Sequence, residues 1–210
     1  MEIAAIRRHI PEGAIVCDAG CGEGEATARY ASVDGVLIDA FDRSAERLEM
    51  ASARLARKSN VVFRRHDVLV PFAMSNGYDA VISERLLINL PDWNAQRAAL
   101  RNLSKLLVPG GRLILSEGSQ NGVLALDCWR KQFRLPTIPV PAHNIFIEDE
   151  ALLEAAAALG LKLHAQDDFG AYYLLTRGVQ PSFVSRFNWA GGFNKASATD
   201  EIAAMLPCAS

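Results

Sequence analysis

The sequence predicts an α/β fold: a three-layer, doubly wound sheet, mostly parallel, with helices on both faces. Three observations lead there. Short apolar runs alternate with stretches of helical periodicity along most of the chain. The first run feeds a glycine-rich turn, Asp18-Ala19-Gly20-Cys21-Gly22-Glu23-Gly24, that opens directly into a helix. Hydrophobic residues make up 50% of the 210 and charged residues 22%, which suits one well-cored domain spanning 1–210.

Residues 14–17 (Ala-Ile-Val-Cys) are an apolar run that stops at Asp18, as a buried strand does before a turn. A helix follows over 25–31. Gly35 punctuates, 36–41 give a second strand, and Ser44 has the chemistry of an N-cap for a helix over 45–58. Val61-Val62-Phe63 is a third strand and 78–83 a fourth, followed by Leu86-Leu87-Ile88 and a helix over 93–107 that Pro109-Gly110-Gly111 should end. Residues 112–116 form a fifth strand. After Glu117 the rhythm breaks: 118–147 reads as an insertion over the active-site face, with a short helix (123–133) and a segment, 135–141, whose three prolines demand extended backbone. A helix over 148–158 and strands over 161–167 and 172–176 resume the pattern, and the last two can pair antiparallel, which brings the count to about seven. Residues 196–210 read as a final helix.

Charge and patterning narrow the function classes. Lys and Arg number 22 against 24 Asp and Glu, a net charge of −2, so no global field attracts nucleic acid or an anionic membrane. The longest apolar stretch, 151–161, is broken by Glu154 and falls short of the ~20 residues a spanning helix needs. Residues 1–10 carry Glu2 and Arg7-Arg8 with no apolar core behind them, unlike a secretory signal. The four cysteines, Cys17, Cys21, Cys128 and Cys208, show no metal-binding spacing and read as reduced thiols, so no metal and a cytoplasmic location are expected.

The glycine turn carries the chemistry. Gly20, Gly22 and Gly24 allow a tight turn and let a ligand reach main-chain atoms that a Cβ would block. The spacing is GxGxG behind an acid, not the GxGxxG of dinucleotide sites. A pyrophosphate wants bare N–H groups and a positive helix end, whereas Asp18 sets a carboxylate beside the turn and suits a cationic or zwitterionic ligand such as S-adenosylmethionine. Asp42, 22 positions after Gly20 at the end of the second strand, can accept both hydroxyls of a ribose. Asp39 is the alternative; in a strand the two point to opposite faces, and Asp42 lies nearer the carboxyl end. Asp67 and Val68 after the third strand can accept from an adenine amine and pack its ring, although an acid there is also an ordinary turn residue.

These pieces, with Asp42-Arg43-Ser44, His66-Asp67, Tyr78-Asp79-Ala80-Val81-Ile82-Ser83 and Leu106-Leu107-Val108-Pro109-Gly110-Gly111-Arg112-Leu113 in order over 14–117, resemble the class I, Rossmann-like S-adenosylmethionine-dependent methyltransferases. The resemblance implies a seven-stranded sheet with an antiparallel edge hairpin, S-adenosylmethionine as cofactor with S-adenosylhomocysteine as product, and a cofactor site from Asp18, Gly20, Gly22, Gly24, Asp42, Arg43, Asp67, Val68 and Ser83. The stretch 83–93, with Ser116-Glu117-Gly118 and Pro141-Ala142-His143-Asn144, is similar to a bacterial small-molecule subgroup associated with surface glycans. Members of the class usually carry one or two helices ahead of the first strand; about a dozen residues stand there in this sequence.

By that resemblance the reaction is in-line displacement of a methyl group, in which the protein aligns the reactants and supplies a base where the acceptor must lose a proton. His143, with an imidazole titrating near ~6.5 when unperturbed, and Glu84, just past the fourth strand, are the candidate catalytic groups. Each has a bland alternative, a structural histidine and a Glu84–Arg85 surface pair. Arg85, Glu117, Arg130, Arg134 and Asn144 are candidate acceptor-binding residues; the cations among them also fit a solvated basic face. The expected partner is a small-molecule acceptor for O- or N-methylation, with no nucleic acid and no membrane, in a monomer or homodimer. A nucleic-acid or protein methyltransferase and a non-catalytic S-adenosylmethionine-binding module are the competing readings, and Ser83-Glu84-Arg85-Leu86 lacks the proline-rich signature of base methylation.

Overall fold

The computed structural model describes residues 2–73 and 77–179. Five parallel strands, β1 (Ile15–Ala19), β2 (Leu37–Asp42), β3 (Val61–Arg65), β4 (Tyr78–Glu84) and β5 (Leu107–Ser116), form one sheet in the order β3-β2-β1-β4-β5. Strands buried on both sides need apolar residues at every position, and β4 shows it: Ala80, Val81 and Ile82 are all fully buried. Even positions of β1, β2 and β4 (Val16, Ile38, Ala40, Ala80, Ile82) meet α1 (Glu2–Arg8) and α2 (Glu25–Tyr30) through Ile6 and Tyr30. Odd positions (Cys17, Ala19, Phe41, Val81) meet α4 (Trp93–Ser104) through Ala99 and Leu103.

The helix α3 (Ala45–Arg54) begins as the sequence predicts, with Ser44 Oγ accepting from Arg47 N at 3.3 Å, but stops short of residue 58. For α4 the cap is Asp92, whose side chain accepts from Ala95 N, and the helix ends at Ser104. The expectation that Pro109-Gly110-Gly111 terminates it is corrected: these residues lie inside β5, where the partner of Tyr78 is Leu107 and that of Ala80 is Arg112, so the extra residues bulge out. A Cβ on Gly111 would sit 3.0–3.2 Å from the carbonyl oxygens of Val108, Tyr78 and Asp79, which explains a glycine at that point.

The predicted edge hairpin is also corrected. Among the described residues the sheet has five strands, not seven, and no antiparallel pair. Residues 161–167 join no ladder, and Leu163, which alternation would place inward, is 64% exposed. The second expected strand is instead a short helix, α7 (Gly170–Tyr173), continuing into a π-helical turn (Leu174–Val179), with Thr176 Oγ1 donating back to Tyr172 O. A run such as Tyr172-Tyr173-Leu174-Leu175 is apolar at successive positions and has no period that tells strand from helix. The helix expected over 196–210 lies outside the described residues.

The insertion over 118–147 leaves and re-enters the fold at one place: Ile147 N donates to Gly118 O at 2.9 Å and Gln120 N to Ile147 O at 2.8 Å. Within it α5 (Gln120–Gln132) is capped by Ser119, and the proline segment, 135–141, is neither helix nor strand. Helix α6 (Asp149–Ala158) follows. No helix among the described residues is long and apolar enough to cross a membrane.

Candidate functional site

Strand order reverses between β1 and β4, because β1 to β3 wind outward on one side and β4 and β5 on the other. In open parallel sheets that reversal leaves a crevice at the carboxyl ends of the two strands. The glycine turn leaves β1 there and Ser83-Glu84-Arg85 leaves β4.

Gly20, Gly22 and Gly24 all take positive φ, 75°, 55° and 73°. Their surroundings differ. A Cβ on Gly20 would lie 2.9 Å from Leu86 Cδ1, and one on Gly24 would lie 3.0 Å from Ala51 Cβ and Leu55 Cδ1, so these two let chain segments close on the turn. Gly22 has only Arg47 Nη1, at 3.7 Å, near its missing Cβ, and so faces open space where a ligand can approach. Four N–H groups of the turn are already engaged: Gly20 and Cys21 donate to Phe41 O, Gly22 to Asp42 Oδ2 at 2.9 Å and Gly24 to Cys21 O. A phosphate would find these four donors occupied, while carboxylates stand close by.

Asp18 is buried, and Thr27 Oγ1 donates to its Oδ2 at 2.6 Å. Burial pushes its carboxyl up to about 7; the Thr27 hydrogen bond opposes the shift, and the negative charges of Glu84 and Asp42 add to it. A cation brought into the crevice would reverse that balance. Asp42 uses both oxygens on backbone, Oδ2 for Gly22 N and Oδ1 for Ser44 N at 2.8 Å, so it ties the glycine turn to the end of β2. Asp39 faces away: Tyr78 OH donates to it at 2.9 Å and Arg64 lies 3.7 Å off, a structural role. Burial also raises the thiols of Cys17 and Cys21, which are free, as is Cys128.

Strand alternation separates the residues that end β4. Glu84 lies on the α2 face, where Tyr30 OH donates to its Oε2 at 2.6 Å and Arg85 Nη2 stands 3.5 Å from Oε1. Ser83 lies on the α4 face, fully buried, and donates through Oγ to Glu117 Oε1 at 2.7 Å. Glu117, which ends the β5 segment, accepts in addition from the backbone N–H groups of Leu86, Leu87 and Ile88 at 3.1–3.2 Å. Burial raises its carboxyl to about 7 against these donors, all of which favour the charged form. Arg85 itself has φ 51°, a left-handed conformation rare outside glycine, and a 67% exposed side chain.

Other expected site residues are placed less centrally. Asp67 Oδ1 accepts from Leu69 N, an Asx turn, and Val68 beside it is buried. Arg43 is exposed, its carbonyl accepting from Arg65 Nε. Arg130 is buried and donates to Pro136 O and Arg177 O, so it fastens the proline segment to the end of the described chain. Arg134 is exposed with φ 56°. His143 is exposed in a turn of the insertion; Asn144 is half-buried, with Oδ1 unpartnered among the described residues. The sequence reading missed Tyr30, Thr27 and Gln96, whose partners lie on other elements of the fold. Two grooves of about 430 and 420 Å³ lie away from the glycine turn, one between α4 and α6 and one at the amino ends of the strands. Neither collects the carboxylates described above. No cluster of three or more potential metal ligands occurs among the described residues.

Residues 16–111, a little under half of the chain, match the family model described as a methyltransferase domain. The 27-O-demethylrifamycin SV methyltransferase of Amycolatopsis mediterranei is 32% identical over 105 residues, 48% of this chain and 37% of that one. The chain spans about two-fifths of the length of the first curated relatives it matches. Among solved structures, the [4+2]-cyclase SpnF superposes with a TM-score of 0.65 at 21% identity, over 96% of this chain and 72% of that one. The N-methyltransferase NodS from Bradyrhizobium japonicum, in complex with S-adenosyl-L-homocysteine, gives 0.52 at 22% identity over 57% of this chain and 60% of its own. These superpositions show an α/β, Rossmann-like fold of the kind found in methyltransferases, and the match to the methyltransferase domain model lies within residues 16–111.

Proposed function

We propose that the chain is a class I, S-adenosylmethionine-dependent methyltransferase acting on a small-molecule acceptor. One observation carries the choice of cofactor: the N–H groups of Gly20, Cys21, Gly22 and Gly24 in the turn after β1 are engaged within the chain, and Asp18, Asp42 and Glu84 flank it. Such a crevice repels a pyrophosphate and favours a ligand bearing an ammonium and a sulfonium. S-adenosylmethionine supplies an activated methyl group; the protein supplies the place and the alignment. Asp18, Gly20, Gly22 and Gly24 hold the methionine end, Asp42 and Arg43 the ribose, Asp67 and Val68 the adenine, and Ser83 lines the floor.

The acceptor enters on the β4 side, under an insertion over 118–147 whose closed base suits a lid. Glu84 and Arg85 orient it, with Arg134 and Asn144 in the surrounding wall. His143 takes the proton when the nucleophile is a hydroxyl. The sequence relative in Amycolatopsis, a methyltransferase of a demethylated oxygen by its name, supports an oxygen nucleophile. Because SpnF shares the fold and is a cyclase, methyl transfer rests on sequence relatives and site chemistry, not on the superposition.

Calorimetry with S-adenosylhomocysteine, followed by detection of that product when the protein and S-adenosylmethionine meet phenols, sugars and amines, tests the reading. Binding and turnover on one acceptor class support it. No binding refutes it, binding without turnover on any class leaves a cofactor-binding module, and turnover confined to RNA or protein replaces the small-molecule acceptor.

A further inference from the structure

The turn that follows Arg85 is gripped from both of its polar sides. Glu117 gathers the N–H groups of Leu86, Leu87 and Ile88 and the hydroxyl of Ser83. On the carbonyl side, Gln96 of α4, 1% exposed, donates its amide to Leu87 O at 3.1 Å and to Ile145 O of the insertion at 2.8 Å. Ile145 N in turn donates to Ile88 O at 2.7 Å. Gln96 Oε1 has no partner among the described residues. The same turn touches the cofactor side, since Leu86 packs over Gly20 closely enough that a Cβ there would collide with it.

We propose that Glu117 and Gln96 are positioning residues that clamp residues 86–88, so that the end of β4 and the exit of the insertion keep one fixed relation on the acceptor side. Neither is a catalytic residue. Glu117 acts through Leu86 to Ile88 and Gln96 through Leu87 and Ile145. This assigns Glu117 a role different from acceptor contact: of its two carboxylate oxygens, one accepts three hydrogen bonds and the other one, all from the chain itself. The proposal's catalytic consequence rests on the methyltransferase reading, while its structural half stands apart from it.

The test uses Glu117→Ala, Glu117→Gln and Gln96→Met in the full chain. Amide hydrogen exchange reads the clamp without any acceptor. Glu117→Ala should speed exchange at Leu86, Leu87 and Ile88 at least tenfold while β1 and β2 amides keep their rates. Glu117→Gln should restore Leu86 and Leu87, whose acceptor oxygen it retains, and leave Ile88 fast. Gln96→Met should loosen Ile145 and not β1. On an acceptor that wild type methylates, Glu117→Ala should raise the acceptor KM or lower kcat at least tenfold with the S-adenosylmethionine KM within threefold, and Glu117→Gln should recover most of it. Unchanged exchange at 86–88 in Glu117→Ala overturns the clamp, as does uniform acceleration across the sheet. Loss of cofactor and acceptor constants in equal measure overturns its acceptor-side role. A wild type that binds no S-adenosylhomocysteine overturns the methyltransferase reading instead, and the exchange data then decide the clamp alone.

Discussion

Cofactor binding should expel a proton, and Asp18 is the group that releases it. In the free protein its carboxyl titrates at about 7 because burial disfavours the charge and Glu84 and Asp42 add repulsion. A cationic ligand in the crevice removes that penalty and returns the group toward its ordinary value of 3.8. That change of roughly three units corresponds to about 4 kcal/mol of coupling between ligand and proton. Titration of a single group centred at about 7 then predicts release of ~0.9 proton per ligand at pH 6, ~0.5 at pH 7 and ~0.1 at pH 8. Calorimetry of S-adenosylmethionine binding at each pH, in buffers of small and large ionisation enthalpy, measures that number directly. Asp18→Asn should bring the release to zero and, by removing the charge, weaken binding at pH 8 more than at pH 6. Glu117 titrates in the same range but touches only its own chain, so the substitution separates the two. Equal heats in both buffers at pH 6 would refute the assignment. Folding stability carries the opposite face of the same linkage. The folded-state pKa is raised, so Asp18 contributes stability that is fully present below the unfolded value near 3.8 and is lost as pH rises through about 7. The unliganded protein should therefore have a lower Tm at pH 8 than at pH 5.5, and Asp18→Asn should flatten the dependence of Tm on pH across that window.

Asp42→Ala should weaken S-adenosylhomocysteine binding by about 1.5–3 kcal/mol, through lost charge-assisted hydrogen bonds to the ligand and release of Gly22 N and Ser44 N; an unchanged calorimetric Kd refutes the ribose assignment. Gly22→Val should abolish binding at a folding penalty of about 1–2 kcal/mol for the left-handed φ, since no chain atom obstructs its Cβ closer than 3.7 Å; a normal Kd in a folded variant refutes the close approach. For His143→Ala, single-turnover transfer at saturating acceptor should fall at least tenfold if the imidazole takes the proton. An unchanged rate with a raised acceptor KM demotes His143 to positioning.

Most of the cofactor half is legible in the sequence because it is local. A strand, a glycine turn and a helix stand within 14–31, and Ser44 announces α3 by a side chain that caps three residues ahead. What the sequence hides is the set of contacts that cross elements. Tyr30 reads as the end of a short helix, yet its hydroxyl meets Glu84, and Gln96 reads as one polar residue on an amphipathic helix, yet it is among the most buried side chains. The misplaced hairpin has a different cause. Leu161-Lys162-Leu163-His164 alternates as a strand should, but alternation records only a two-sided segment; among the described residues no strand pairs with it, and Leu163 is exposed. Arg85 at φ 51° has no local signal at all, since nothing in its residue type favours that conformation.

The alternation of β4 also explains why two candidate acids lead different lives. Glu84 and Glu117 stand near the same end of the sheet, and the sequence offers Glu84 as a candidate catalytic group and Glu117 as a candidate acceptor-binding one. Ser83 and Glu84 point to opposite faces, so Glu84 joins Asp18 and Tyr30 on the α2 side while Glu117 is drawn under the turn on the α4 side. The two acids therefore do not face one reacting atom. Glu84 keeps Oε1 only 3.5 Å from a largely exposed arginine, open to rearrangement when an acceptor arrives, whereas every hydrogen bond of Glu117 goes to the chain. Mutations should divide along that line: Glu84→Gln should alter transfer with little change in amide exchange at 86–88, and Glu117→Ala should alter that exchange first.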